Sequence, residues 1–125
     1  MSKIFHLLAL PLLAMASTAF ASETVTPASL WASFKAEPDA FRESIGNKIT
    51  ISAIVADTHI SAYLTPVVSL VDKSGDEVKV ICVLPRLDAG KLSSFKAGEK
   101  VKMSGNLYAA REEKIVIKQC QAEGG

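Results

Sequence analysis

Cys82 and Cys120 are the only two cysteines in the chain of 125 residues, and each lies in a short run rich in valine and isoleucine, "EVKVICVLP" and "KIVIKQC". Neither belongs to a C-x-x-C pair or stands at a helix start that would stabilise a thiolate, so a redox-active couple is not indicated. A Cys-His nucleophile would need a free cysteine beside His59, the one histidine beyond the N-terminal segment. Two cysteines and one histidine do not assemble an ordinary zinc set either. Phosphate-binding glycine loops of the Gly-x-Gly-x-x-Gly or Gly-Lys-Ser/Thr kind do not occur. Asp76-Glu77 and Glu112-Glu113 fall in polar, turn-like stretches, where solvated charge is the usual state, and nothing favours them as an acid/base pair. The expectation is a protein without catalytic activity, metal or cofactor.

The first 21 residues, "MSKIFHLLALPLLAMASTAFA", have one charge at Lys3, an apolar run to Ala16 and a small-residue end at Ala19-Phe20-Ala21. That is the three-part build of a secretory signal peptide cut after Ala21. His6 and Pro11 interrupt the run, which is shorter than the roughly 20 residues a membrane helix needs. No cysteine stands at the cut to carry a lipid, and no later segment spans, so a periplasmic protein is expected. Removing Lys3 leaves 13 Lys and Arg against 13 Asp and Glu over residues 22–125. That length suits one domain, and the balanced charge argues against a dedicated nucleic-acid binder.

These residues need elements to hold them. "TPASLWASFKAEPDAFRESIGNK" is helical in period: Thr26 can cap, Pro27 fits the first turn, and Leu30, Trp31, Phe34, Phe41 and Ile45 recur at helical spacing. Pro38 divides the stretch, about residues 27–45, into two short helices or one kinked helix. From Lys48 the period becomes two. "KITISAIVAD", "TPVVSLVD", "EVKVICVLP", "KVKMSGNLYA" and "EEKIVIKQC" read as five strands over about residues 47–121, with Gly105 marking a bulge or bend. Between the third and fourth, Leu87, Leu92 and Phe95 suggest a short helix or turn over one end of the sheet. The tail "QAEGG" reads as frayed.

A mainly β chain of five strands, with a connecting element between the third and fourth, fits the five-stranded Greek-key barrel of the OB-fold, preceded by one or two short helices. Another small β-barrel preceded by a helix would give a similar pattern. The stretches "IGNKITISAIVAD", "VICVL", "LSSFKAGEKVKMSGNL" and "IVIKQC" resemble the tRNA-anti-like OB-fold family of exported bacterial proteins, over about Trp31 to Gln121. The two cysteine positions also resemble that family. Ala53 departs from it, standing where relatives often carry the glycine that lets the first strand coil. The resemblance implies a fold; tRNA binding is not carried over, because an exported chain does not meet tRNA.

In such a barrel the third and fifth strands are neighbours, so Cys82 and Cys120 could bridge as a disulfide in an oxidising compartment. Alternation opposes this. It sets Cys120 against Ile115 and Ile117, so Cys120 turns inward only if a bulge near Gln119 resets the register. Two buried thiols are the alternative. OB-folds bind through their second and third strands and the flanking loops. Here the loops "DTHISAYLT" and "LYAAREE" offer His59, Tyr63, Tyr108 and Arg111, and Lys79 and Arg86 flank the third strand. Tyrosines beside cations can stack on a sugar, base or peptide. The plainer readings are that Tyr63 and Tyr108 close the barrel ends and that His59 is a solvated loop residue. The expected function is an exported binding module for a protein or peptide of the cell envelope. The alternatives are a binder of single-stranded nucleic acid or another anionic polymer, which needs a basic groove, and a catalyst with an unrecognised carboxylate site.

Overall fold

A computed structural model describes residues 24–111 and 113–123; the N-terminal segment read as a signal peptide lies outside them. The described part opens with a two-residue strand, β1 (Thr24–Val25), laid parallel on Thr50 and Ile51. Helix α1 (Pro27–Ala36) begins at Thr26, whose hydroxyl accepts from the Ser29 amide while the Ser29 hydroxyl accepts from the Thr26 amide. This reciprocal cap fills donors that a helix start leaves open, and Pro27 needs none. Asp72 accepts the Ala28 amide as well, at 3.2 and 3.4 Å, so the helix start is tied to a residue 44 positions further along the chain. Glu37 leaves helical geometry, and Pro38 opens α2 (Pro38–Glu43). Leu30, Phe34 and Phe41 sink into the core, with the Phe34 and Phe41 rings edge to face at 5.4 Å. Ile45, expected on that apolar face, lies beyond the end of α2 and is 39% exposed.

Five longer strands follow: β2 (Lys48–Ile60), β3 (Pro66–Val71), β4 (Val80–Val83), β5 (Lys100–Ala110) and β6 (Ile115–Ala122). They neighbour one another in the order β2-β3-β4-β6-β5, and β2 pairs with β5 to close the cylinder. Only β4 and β6 run parallel among these five. This is the OB-fold topology expected. Strand β2 belongs to both halves of the barrel: Lys48 to Ile54 pair with β5, and Ile54 to Ile60 with β3. Its register breaks between Val55 and Asp57, so the bend falls just beyond Ala53, which stays in the core.

A 3-10 segment (Arg86–Ser94) links β4 to β5, as the connecting residues suggested. Leu92 and Phe95 pack against the core, but Leu87 does not; it is 98% exposed. The last strand also runs past Cys120: Gln121 and Ala122 pair with Ser104 and Met103 rather than fraying.

The cysteines are joined. Cys82 and Cys120 form a disulfide with Cα atoms 5.8 Å apart, both fully buried. The register explains how. Between Ser104 and Asn106 on β5, β6 advances three residues, from Gln121 to Lys118, and Gln119 takes a φ of 54°. That extra residue turns Cys120 inward beside Ile115 and Ile117.

A candidate binding face on the barrel

Because β3 runs antiparallel to β4 and β4 parallel to β6, the turns on either side of this sheet lie at opposite ends. The turn after β2 lies where β3 begins and β4 ends; the turn before β6 lies where β4 begins. The six residues singled out from the sequence therefore divide between the two ends.

At the first end, Ser61 to Thr65 form a tight turn in which the Ser61 amide donates to the Thr65 carbonyl and Leu64 adopts a φ of 63°. The turn pushes Tyr63 and Leu64 into solvent, at 81% and 67% exposure. Tyr63 thus does not close the barrel. Arg86, first residue of the 3-10 segment, donates from Nη2 to the Tyr63 carbonyl at 3.2 Å and so fixes the turn against that segment. Leu87 follows directly, and Ile60 at the end of β2 is also exposed. His59 is not in a loop: it lies on β2 opposite Val67, its Nδ1 3.6 Å from Asp57 Oδ1. Asp57 in turn accepts from the Ser69 hydroxyl.

At the other end, the Lys79 carbonyl accepts the Ile115 amide, and Arg111 and Lys114 close the turn before β6 through a backbone bond. The Lys79 ammonium lies 4.8 Å over the Trp31 ring and 3.4 Å from Glu77, so its charge is already engaged. A cleft of about 250 Å³ opens here between the α1 start and the β3–β4 turn, lined in part by Trp31, Asp72, Asp76 and Glu77. Tyr108, in β5 rather than a loop, is half-exposed beneath the Lys118 ammonium, 3.7 Å from its ring centre.

The candidate residues therefore make one joined group, Tyr63 with Arg86, and separate outliers at His59, Lys79, Tyr108 and Arg111. Leu64, Leu87 and Ile60 belong with that group and carried little sequence signal, because an isolated leucine in a polar stretch reads as part of the core. Among the described residues, no three His, Cys, Asp or Glu side chains gather to hold a metal ion. No helix among them is long and apolar enough to cross a membrane.

The model of the tRNA_anti-like family matches residues 12–121. None of the curated proteins matches. Among solved structures, the fold is shared with a "putative nucleic acid-binding lipoprotein" from Klebsiella pneumoniae, at a TM-score of 0.67 and 10% identity, covering 86% of this chain and 97% of that one.

Proposed function

The chain belongs to the tRNA_anti-like family, and from that premise we propose an exported, non-catalytic OB-fold module that takes a protein or peptide partner at the end of its barrel formed by the β2–β3 turn. The observation that carries this reading is the exposed apolar group at that end, Ile60, Tyr63, Leu64 and Leu87, with Arg86 held against it. Apolar side chains rarely gather in solvent without a partner to cover them, and tyrosine, leucine and arginine together supply the rigid contact area and planar donors of a protein interface. Export is supported by the sequence of residues 1–21 and by the buried disulfide, which persists where the surroundings are oxidising. The name of the Klebsiella neighbour raises nucleic acid as a second reading. Against it, the Arg86 guanidinium at this end already donates to a carbonyl, and Lys79, at the opposite end, is paired with Glu77.

A photo-crosslinking residue at Leu87 tests the reading in intact envelopes, with the same residue at Glu43 as control. We expect a discrete protein adduct from position 87 only, lost when Tyr63→Ala and Leu64→Ala are added. Identical adducts from both positions, or none, would remove this end of the barrel as an interface. A nuclease-sensitive adduct would transfer the assignment to nucleic acid.

A further inference from the structure

The outer face on the other side of the barrel has a different chemistry. Along Lys48–Ile54 of β2, all of β5 and all of β6 there are four lysines, Lys48, Lys100, Lys102 and Lys118, and no aspartate or glutamate. The mature chain is neutral, so this face concentrates positive charge that acidic residues elsewhere balance. Register sets the pattern. Lys48 lies opposite Asn106 and Asn106 opposite Lys118; Thr50 lies opposite Ser104 and Ser104 opposite Gln121; Ser52 lies opposite Lys102. Two strand spacings put Lys48 and Lys118 roughly 10 Å apart, and four residues along β5 put Lys102 roughly 13 Å from their row. Glu99 and Glu123 stand at the rim, and no ion pair among the described residues reaches any of the four lysines.

Ser104, in the middle of this face, is 1% exposed beneath its neighbours, and its hydroxyl has no hydrogen-bond partner among the described residues. Native structures rarely leave a buried hydroxyl unpaired. Here it lies between Thr50 and Gln121, in a field of hydroxyl and amide groups bordered by ammonium groups.

We propose that this face binds an acidic polysaccharide. Lysines at these spacings suit carboxylates repeated along a chain of acidic sugars, and Thr50, Ser52, Asn106 and Gln121, none of them buried, offer donors and acceptors to sugar hydroxyls. Tyr108 gives one ring on which a sugar can stack. A single-stranded nucleic acid would ask for several aromatic platforms; this face has one, with Lys118 across it. A membrane surface would ask for large apolar side chains among the lysines; of the exposed ones among the described residues only Tyr108 is on this face, while Ile45, Ile60, Tyr63, Leu64 and Leu87 lie elsewhere.

The test uses the mature protein with polygalacturonate as probe, and neutral dextran, an oligo-dT strand and phosphatidylglycerol vesicles as comparisons. The wild type should bind polygalacturonate in preference to the other three. Lys48→Gln/Lys102→Gln/Lys118→Gln should weaken that binding by about tenfold or more at fixed salt and flatten its dependence on salt concentration. Lys73→Gln/Lys91→Gln/Lys96→Gln, removing the same charge elsewhere, should leave it unchanged, and amide resonances of Thr50, Ser104 and Gln121 should shift on titration. Equal loss in both triple variants, absence of binding, or tighter binding of oligo-dT or vesicles would overturn the proposal. Tyr63→Ala/Leu87→Ala should leave polygalacturonate binding intact, which separates this face from the β2–β3 turn end.

Discussion

Gly105 is the residue on which the disulfide's geometry depends. It lies on β5 opposite the bulge, and a Cβ there would stand 2.7 Å from both Ile117 Cγ2 and the Lys118 carbonyl oxygen, and 3.0 Å from Cys120 Sγ. The carbonyl belongs to the paired strand and the sulfur to the bridge, so neither can retreat without disturbing the register. Gly105→Ala should therefore destabilise by about 2–3 kcal/mol, as overpacking a tight core does, measured as a lower urea midpoint with an unchanged slope. Gln119 is the other half of the device. Its φ of 54° is accessible to glycine at no steric penalty, while a β-branched side chain resists it. Gln119→Gly should leave stability within about 0.5 kcal/mol, and Gln119→Val should lower it by about 1–2 kcal/mol. If valine were tolerated as well as glycine, the bulge would not be what turns Cys120 inward.

Each element's own residues decide how it holds and how visible it was. The start of α1 is local chemistry, with Thr26, Pro27 and Ser29 within four positions, so it could be read directly. Thr26→Ala should cost about 1 kcal/mol, and amide exchange should rise through Ala28–Phe34 while β2 and β5 keep their protection; unchanged exchange in α1 would mean that Asp72 alone holds the helix start. The strands were legible where alternation is unbroken, as from Lys48 to Val55. They were not where a bulge intervenes. Asp57, Thr58 and His59 read as a loop because a polar run with shifted alternation has no inner face to recognise, and alternation alone turns Cys120 outward; only the prospect of a bridge to Cys82 points to a reset near Gln119, which otherwise looks like any strand-surface glutamine. Both bulges follow from closing five strands into a barrel, which no window of neighbouring residues reports. The lysine face passed unnoticed for a related reason: Lys100 and Lys102 alternate with apolar residues, as any solvated strand face does, and only the register brings Lys48 and Lys118 alongside.

Over the whole molecule, the weakest seam should be the one the disulfide crosses. β4 is four residues long and meets β6 through only Val80, Cys82 and the residue between them, in a parallel pairing whose partners are far apart in sequence. The other barrel pairings are longer or, for β3 with β4, closed by a nearby turn. The bridge closes a separation of 38 residues at this seam, which the chain-entropy relation converts to about 4 kcal/mol at most. In a domain whose total stability is of the order of 5–15 kcal/mol, that is a large share. Cys82→Ala/Cys120→Ala should lower the unfolding free energy by up to about 4 kcal/mol. Amide exchange should quicken first at Val80–Val83 and Ile115–Ile117, while Ile51 and Met103, in the β2–β5 pairing, remain protected. The same order should appear when the wild type is reduced in dilute urea, since both sulfurs are buried and reductant reaches them only through opening of this seam. If loss of the bridge left the midpoint unchanged, or if α1 and β2 opened before β4, the barrel would be held chiefly by its apolar interior and the disulfide would be a passenger.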